Sequence, residues 1–398
     1  MQTSLSSPDP TANDYWRFAS KATHCNGDIA NWNFDFRNNS IRACGYVRLP
    51  PLHEALSLLR EYFDNFNCVF PLFHQSSFMS RVEYGYSRDL QGDPVWWAAL
   101  NTVLALALRL RAMSTLSNHL EDAQAWSYLQ NALSVFSDLA FRDTDLFGIQ
   151  TILGMAIIFQ SAPNPHPASV LVAAAIRLSA HLGLHKKTSE SELTAVDLEQ
   201  RNRVFWLGYL LDKDYSLYLD QPPILHDDDL DVEAPTENPQ DSLGYVHEIN
   251  GTNKINLFRF RVHLAAIENK IYAKLYSSQA SKQSDQERIH AVQDLDSILG
   301  QWIRRVPTCF QPENLTTLPP NGSTLHLAIL YLFYFNCLTL VHGLAFQNTN
   351  WTTRLLSSLR QPAKGKLFNS SQEICIEAAR SSLELIKILP QGDFACIW

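Results

Sequence analysis

With 398 residues, 46% of them hydrophobic, the chain has material for one large domain or two ordinary ones, and disorder over most of its length is excluded. Only 18% of residues are charged, against about 25% in an ordinary globular protein, so much surface is buried or is completed by something else. The net charge of −8 comes from 40 acidic against 32 basic residues, with no basic run longer than a pair such as Lys186-Lys187 or Arg304-Arg305; direct DNA binding, which needs massed Lys and Arg, is not expected of this chain alone.

Residues 1–50 read as a partly loop-like N-terminal extension, although Trp32, Phe34 and Phe36 suggest packing onto the main body. From 51 to 398 apolar residues recur at helical spacing nearly everywhere. Pro94 opens a run from Val95 to Met113 that is rich in Ala and Leu. Thr144 is placed to cap a helix through Phe159, which the prolines at 163, 165 and 167 terminate. Leu171, Ala174, Ala175, Leu178 and Leu182 then form a stripe with steps of three and four. Thr194 with Asp197 resembles a capping box and opens a helix bearing Val204, Leu207, Leu211 and Tyr215 on one side, ended by Pro222-Pro223. Further helices are expected over 253–279, 285–305, 322–346 and 371–389, with irregular connections near 220–250, 310–323 and 347–370. Strand alternation is scarce and no fixed-period repeat stands out. The fold class is all-α, a multi-helix domain.

Seven widely spaced cysteines, none in C-x-x-C, indicate neither a disulfide framework nor a structural zinc site. The N-terminus lacks the charged start and apolar run of a signal peptide. Leu325 to Phe346 is long enough to cross a bilayer. It carries His326, Asn336 and His342 and has no flanking Lys or Arg anchor, so a buried core helix is the expectation, with no membrane partner.

The sharpest catalytic pattern is Asp227-Asp228-Asp229-Leu230-Asp231. Read as D-D-x-x-D, its Asp227, Asp228 and Asp231 would hold magnesium and a diphosphate, as in all-helical terpene synthases. That chemistry wants the acids on one helix face, whereas prolines 222, 223 and 235 flank the stretch, and no second metal-binding element follows downstream. His181 and His185 stand four apart, a chelating spacing, but without a third ligand; packing at a helix end near Gly183 is the simpler expectation. No phosphate-binding Gly loop and no nucleophile elbow occur. Trp96-Trp97 and Phe205-Trp206 could stack on a ligand but suit a core. No catalytic, cofactor or metal residues are assigned, and no cofactor is expected.

Three stretches in order resemble the fungal-specific transcription factor domain, the middle region of binuclear zinc-cluster regulators. The first runs from Tyr62 through Phe70-Pro71-Leu72-Phe73-His74 to Phe78, similar to the family's opening helix and its turn. The second is Asp93-Pro94-Val95-Trp96-Trp97 to Asn101. The third runs from Ala174 through Gly183 and His185, then Arg201, Arg203, Phe205, Trp206, Tyr209 and Asp212, and ends on Gln221-Pro222-Pro223, Asp227, Asp229 and Pro235. The resemblance implies a regulatory domain over 51–398, with the acidic stretch a loop of turn and capping residues and with Arg201 and Arg203 paired to acids. The sequence departs from the family at Asp220-Gln221, where the pattern has Gly-Arg, and at Lys213, where it has arginine. It contains no six-cysteine zinc cluster, and Phe394 to Trp398 read as the start of a further apolar helix; a shortened regulator or an incomplete gene product is expected.

The function so implied is a nuclear transcriptional regulator, with control of a specialised-metabolite gene cluster as its expected setting. Its partners would be proteins of the transcription machinery or a DNA-binding partner, with a small-molecule effector also open. The rivals are the terpene-synthase-like enzyme and a non-functional truncated regulator.

Overall fold

Apolar residues recurring every three to four positions form helices along almost the whole described chain. The protein is represented by a computed structural model, which describes residues 47–86, 93–114, 119–141, 145–160, 162, 164–187, 193–248, 253–315, 322–347 and 362–389. Residues 1–46 of the N-terminal extension, with Trp32, Phe34 and Phe36, the proposed cap Thr144, Pro163 and the chain end at Trp398 lie outside these residues.

Thirteen α-helices are present among the described residues, with a single two-stranded sheet. The fold is all-α. Helix α1 (Leu52–Tyr62) runs into a π turn (Phe63–Asn67) and is followed by α2 (Gln75–Gly85). Helix α3 (Pro94–Ser114) starts where Asp93 Oδ1 accepts from the amides of Val95 and Trp96, both at 3.0 Å. Proline at its first position costs nothing there, because that amide has no intrahelical partner.

Helices α4 (His119–Leu133) and α5 (Phe136–Phe141) follow. Helix α6 (Leu146–Gln160) is buried all round from Gly148 to Phe159. A helix apolar on every side has to sit inside others. Gly154 is where α3 comes close, since a Cβ there would lie 2.7 Å from Thr102 Cγ2. Asp145 Oδ1 accepts from Gly148 N at 2.8 Å and does the capping at the start of α6. Helix α7 (His166–His181) begins with proline in its first turn, so Pro165 and Pro167 start a helix as well as following one.

Helix α8 (Ala195–Leu219) opens on Thr194, whose hydroxyl accepts from Asp197 N at 3.1 Å. From Arg203 to Leu217 every residue is buried, and α8 packs on α6, α7 and the following helix. Strands β1 (Tyr245–His247) and β2 (Lys254–Asn256) pair antiparallel, with Val246 opposite Ile255. The helix expected from 253 is therefore corrected. Asn256 accepts from Arg259 N at 3.0 Å and starts α9 at Leu257, so the residues before it are free to pair as a strand.

Helix α9 (Leu257–Ile271) widens into a π turn (Tyr272–Tyr276). Helix α10 (Asp285–Arg304) carries a complete capping box, Ser284 with Glu287. The connection expected near 310–323 holds a 3₁₀ turn (Thr308–Phe310) and the short α11 (Pro312–Leu315). Helix α12 (Gly322–Gln347) packs on α9, α10 and α13 (Pro362–Ile388). Helix α13 thus begins about nine residues before the expected 371, inside a stretch read as irregular.

Residues Gly322–Leu344 form one helix long and apolar enough to span a membrane, yet most of that stretch is buried inside the bundle. Two of its buried polar side chains have protein partners: His342 Nδ1 lies 3.1 Å from Ser371 Oγ, and Tyr331 donates to the Phe310 carbonyl at 2.7 Å.

Candidate functional site

The Phe70-Pro71 segment is a turn knotted by a buried amide. Asn67 Oδ1 accepts from the amides of Leu72 (3.0 Å) and Phe73 (2.9 Å) and from the Tyr62 hydroxyl (3.1 Å), while its Nδ2 donates to the Phe73 carbonyl (2.9 Å). The Leu72 carbonyl accepts from Gln150 of α6 and Gln200 of α8, tying the turn to two later helices. Phe70 packs edge-on to Phe258 of α9 and His326 of α12. His74 caps α2, its Nδ1 2.8 Å from Ser77 Oγ. Trp96 is buried among Phe78 and Phe147, with the Arg81 guanidinium 4.5 Å from its ring centroid; Trp97 beside it is half-buried.

The third family stretch assembles around α8. Helix α7 stops at Gly183, whose φ of +68° is the left-handed form that glycine adopts at least cost. Leu184 N then donates to the Ser179 carbonyl at 2.9 Å, and the His185 carbonyl accepts from Asp231 N at 3.0 Å. Helix α8 stops at Asp220, which takes φ 52° and ψ 47° where the family pattern has glycine. The turn is kept, with Gln221 N donating to the Ser216 carbonyl at 2.9 Å.

Beyond Pro222-Pro223 the chain folds back along α8 and is held at four levels. Asp212 accepts from the amides of Ile224 (3.0 Å) and Leu225 (3.1 Å). Tyr209 donates to Asp227 Oδ1 at 2.9 Å. Trp206 Nε1 donates to the Glu233 carbonyl at 2.7 Å. Arg203 grips Asp241 with two bonds of 2.7 Å and Glu199 with one of 3.0 Å. Pro235 is buried, and its carbonyl accepts from Arg259 of α9.

Electrostatics follow from these contacts. Burial pushes the Asp241 carboxyl up, but the Arg203 hydrogen bonds and the Leu243 amide outweigh it and leave the group below its ordinary value. Burial pulls the Lys213 ammonium down against the opposing pull of Asp212, 3.1 Å away. Burial, then the neighbouring Asp227 carboxylate, push the Tyr209 phenol up.

The D-D-x-x-D acids do not share a helix face. Asp227–Asp229 form one 3₁₀ turn. Asp227 is engaged by Tyr209, Asp229 is exposed with its amide on the His226 carbonyl at 3.1 Å, and Asp231 is tied through its amide to His185. Three or more metal-binding side chains gather nowhere among the described residues. His181 and His185 part company: the first is exposed on the last turn of α7, the second lies in the turn beyond it. Arg203 pairs with acids as expected, but Arg201 donates instead to the Leu182 carbonyl at 3.0 Å, because the unsatisfied end of α7 faces it.

Sequence reasoning missed a second polar cluster. Asp214 of α8 pairs with Arg261 of α9, and Arg261 Nη1 lies 3.3 Å from Glu268, all three buried. The available signal was Asp212-Lys213-Asp214 itself: three consecutive charges on a helix with no polar face cannot all reach water.

The fungal specific transcription factor domain matches residues 59–304. The chain is 47% identical over 354 residues to an ABC-transporter-regulating transcription factor of Aspergillus oryzae, covering 88% of this chain and 40% of that protein, with the same figures for one of Aspergillus fumigatus. It is 32% identical over 348 residues to the fusaridione A cluster transcription factor of Fusarium heterosporum, covering 86% of this chain and 63% of that protein. The chain thus spans about two-fifths of the length of the Aspergillus regulators. On a match across most of the bundle just described, the chain belongs to the fungal specific transcription factor domain family.

Proposed function

We propose that this chain is the regulatory part of a nuclear transcriptional regulator and that it works by contact with proteins or a small effector, not by catalysis. The single observation that carries this reading is the 47% identity across 88% of the chain to transcription factors that regulate ABC transporters. The geometry supports it. Of the acids that could have formed a diphosphate site, Asp227 accepts from Tyr209 and Asp231 is held only through its backbone amide, so their carboxylates do not converge, and the net charge of −8 does not favour binding to DNA. Promoter contact would come from a DNA-binding module or partner. By likeness to the named relatives, the genes controlled are of the transporter or metabolite-cluster kind.

Helix α8 suits a transmitting role. It is the buried element against which α6 and α7 pack from one side of the sequence and α9 from the other. A ligand or partner preferring one packing of these two sets would shift the population between them. Fusion of the chain to a heterologous DNA-binding domain should change reporter transcription several-fold in a fungal host, and deletion of the gene should change its target transcripts. An inert fusion together with magnesium-dependent turnover of a prenyl diphosphate, lost in Asp228→Ala, would overturn the reading.

A further inference from the structure

A cavity of about 150 Å³ lies where α6, α8, α9 and α12 meet, lined among others by Gln160, Asp214, Tyr215, Glu268, Phe333 and Asn336. That is about the volume that accepts one benzene-sized ring. Its wall is mainly apolar, yet three lining side chains end in buried polar atoms with no hydrogen-bond partner among the described residues: Gln160 Oε1, Asp214 Oδ2 and the Tyr215 hydroxyl. The side chain of Asp214 is only 6% exposed. A buried acceptor left unpaired costs about 1–3 kcal/mol, and more when charged. Three around one space call for something inside it that supplies donors.

The sign of the charge is also set. Asp214 and Glu268 share a single guanidinium, Arg261, which stands behind Phe333 with Cζ 3.9 Å from the ring centroid and does not line the cavity. Two buried carboxylates against one cation are balanced either by a proton on Asp214 or by a cation in the space beside it. Burial foremost, and then Glu268, push the Asp214 carboxyl well above its ordinary value, with Arg261 opposing. A positive group in the cavity would relieve that.

We propose that this cavity binds a small molecule with an apolar ring and one cationic nitrogen, the ring against Phe333 and the cation drawn to Asp214 and Glu268. The apolar body follows from the lining, and the cation from the carboxylate excess. Because α6 and α8 form one side and α9 and α12 the other, such a ligand touches both helix sets flanking α8. Its use as an effector rests on the regulatory reading above; its binding does not.

Titration calorimetry of the full chain with benzylammonium, benzyl alcohol and benzoate tests the site. Benzylammonium should bind saturably, benzoate at least about tenfold more weakly, and Asp214→Asn should weaken benzylammonium by about tenfold, as expected for losing one charge-assisted bond. Because Asp214→Asn also leaves Arg261 short of a partner, Asn336→Trp at the exposed mouth serves as the second variant. It should block binding while leaving the thermal midpoint nearly unchanged. No saturable binding at millimolar benzylammonium, equal binding of benzoate, affinity unmoved by both variants, or an ordered water alone in the cavity would each overturn the proposal. A positive titration with a transcriptionally inert fusion would instead count against the regulatory reading and leave the site standing.

Discussion

The indole of Trp206 donates to the carbonyl of Glu233, 27 residues later, at 2.7 Å. One buried helix side chain thereby fixes the return path of an otherwise irregular segment. Trp206→Phe keeps most of the apolar area and removes the bond. It should cost about 1–2 kcal/mol, read as a lower denaturant midpoint, with faster amide exchange confined to residues 220–241. Exchange spread evenly over the bundle would show that Trp206 does not hold this segment.

Asp212 and Lys213 are neighbours in sequence and both buried, 3.1 Å apart. Asp212→Ala leaves the amides of Ile224 and Leu225 without their acceptor and the buried ammonium with only the Leu225 carbonyl and Asp227, 4.0 Å away, and should cost about 3–5 kcal/mol. Removing both charges in Asp212→Asn/Lys213→Met should recover a large part of that loss. A double variant as unstable as Asp212→Ala would show that the ion pair itself, not the orphaned charge, carries the energy.

The two helix ends with positive φ make opposite predictions. At Gly183 no atom lies within 4 Å of an added Cβ, so Gly183→Ala meets only backbone strain and should destabilise by about 1 kcal/mol. At Asp220, also left-handed, Asp220→Gly should stabilise by about 0.5–1 kcal/mol. Thermal midpoints moving the same way in both variants would contradict this account.

The histidine contribution to stability should fall as pH drops from 7.5 to 5.5. His326, His263 and His342 are held below the ordinary 6.5, in each case first by burial. The unfolded chain therefore takes up protons near 6.5 that the folded chain refuses; the stability is complete above that pH and is lost below it. The depressed carboxyls Asp93 and Asp241 contribute only to a separate loss below about pH 4. His326→Phe, which replaces an imidazole bonded to the Asn65 carbonyl at 2.6 Å, should flatten the neutral-range slope in urea titrations.

Periodicity and capping chemistry by themselves determined that the chain is helical and where six of the thirteen described helices start. Thr194, Ser284 and Pro94 act on neighbours within four residues, so their effect is written locally. The family stretches likewise placed Arg203, Trp206, Tyr209 and Asp212 on one helix. Only the tertiary structure decided what those side chains hold: the Leu72 carbonyl receiving Gln150 and Gln200, the segment braced along α8, the strand pair that displaced the start of α9, and the shared cluster of Asp214, Arg261 and Glu268. The physical reason is distance along the chain. A buried polar atom must find a partner wherever the fold brings one, and that partner, here up to 128 residues away, leaves no trace in the local pattern.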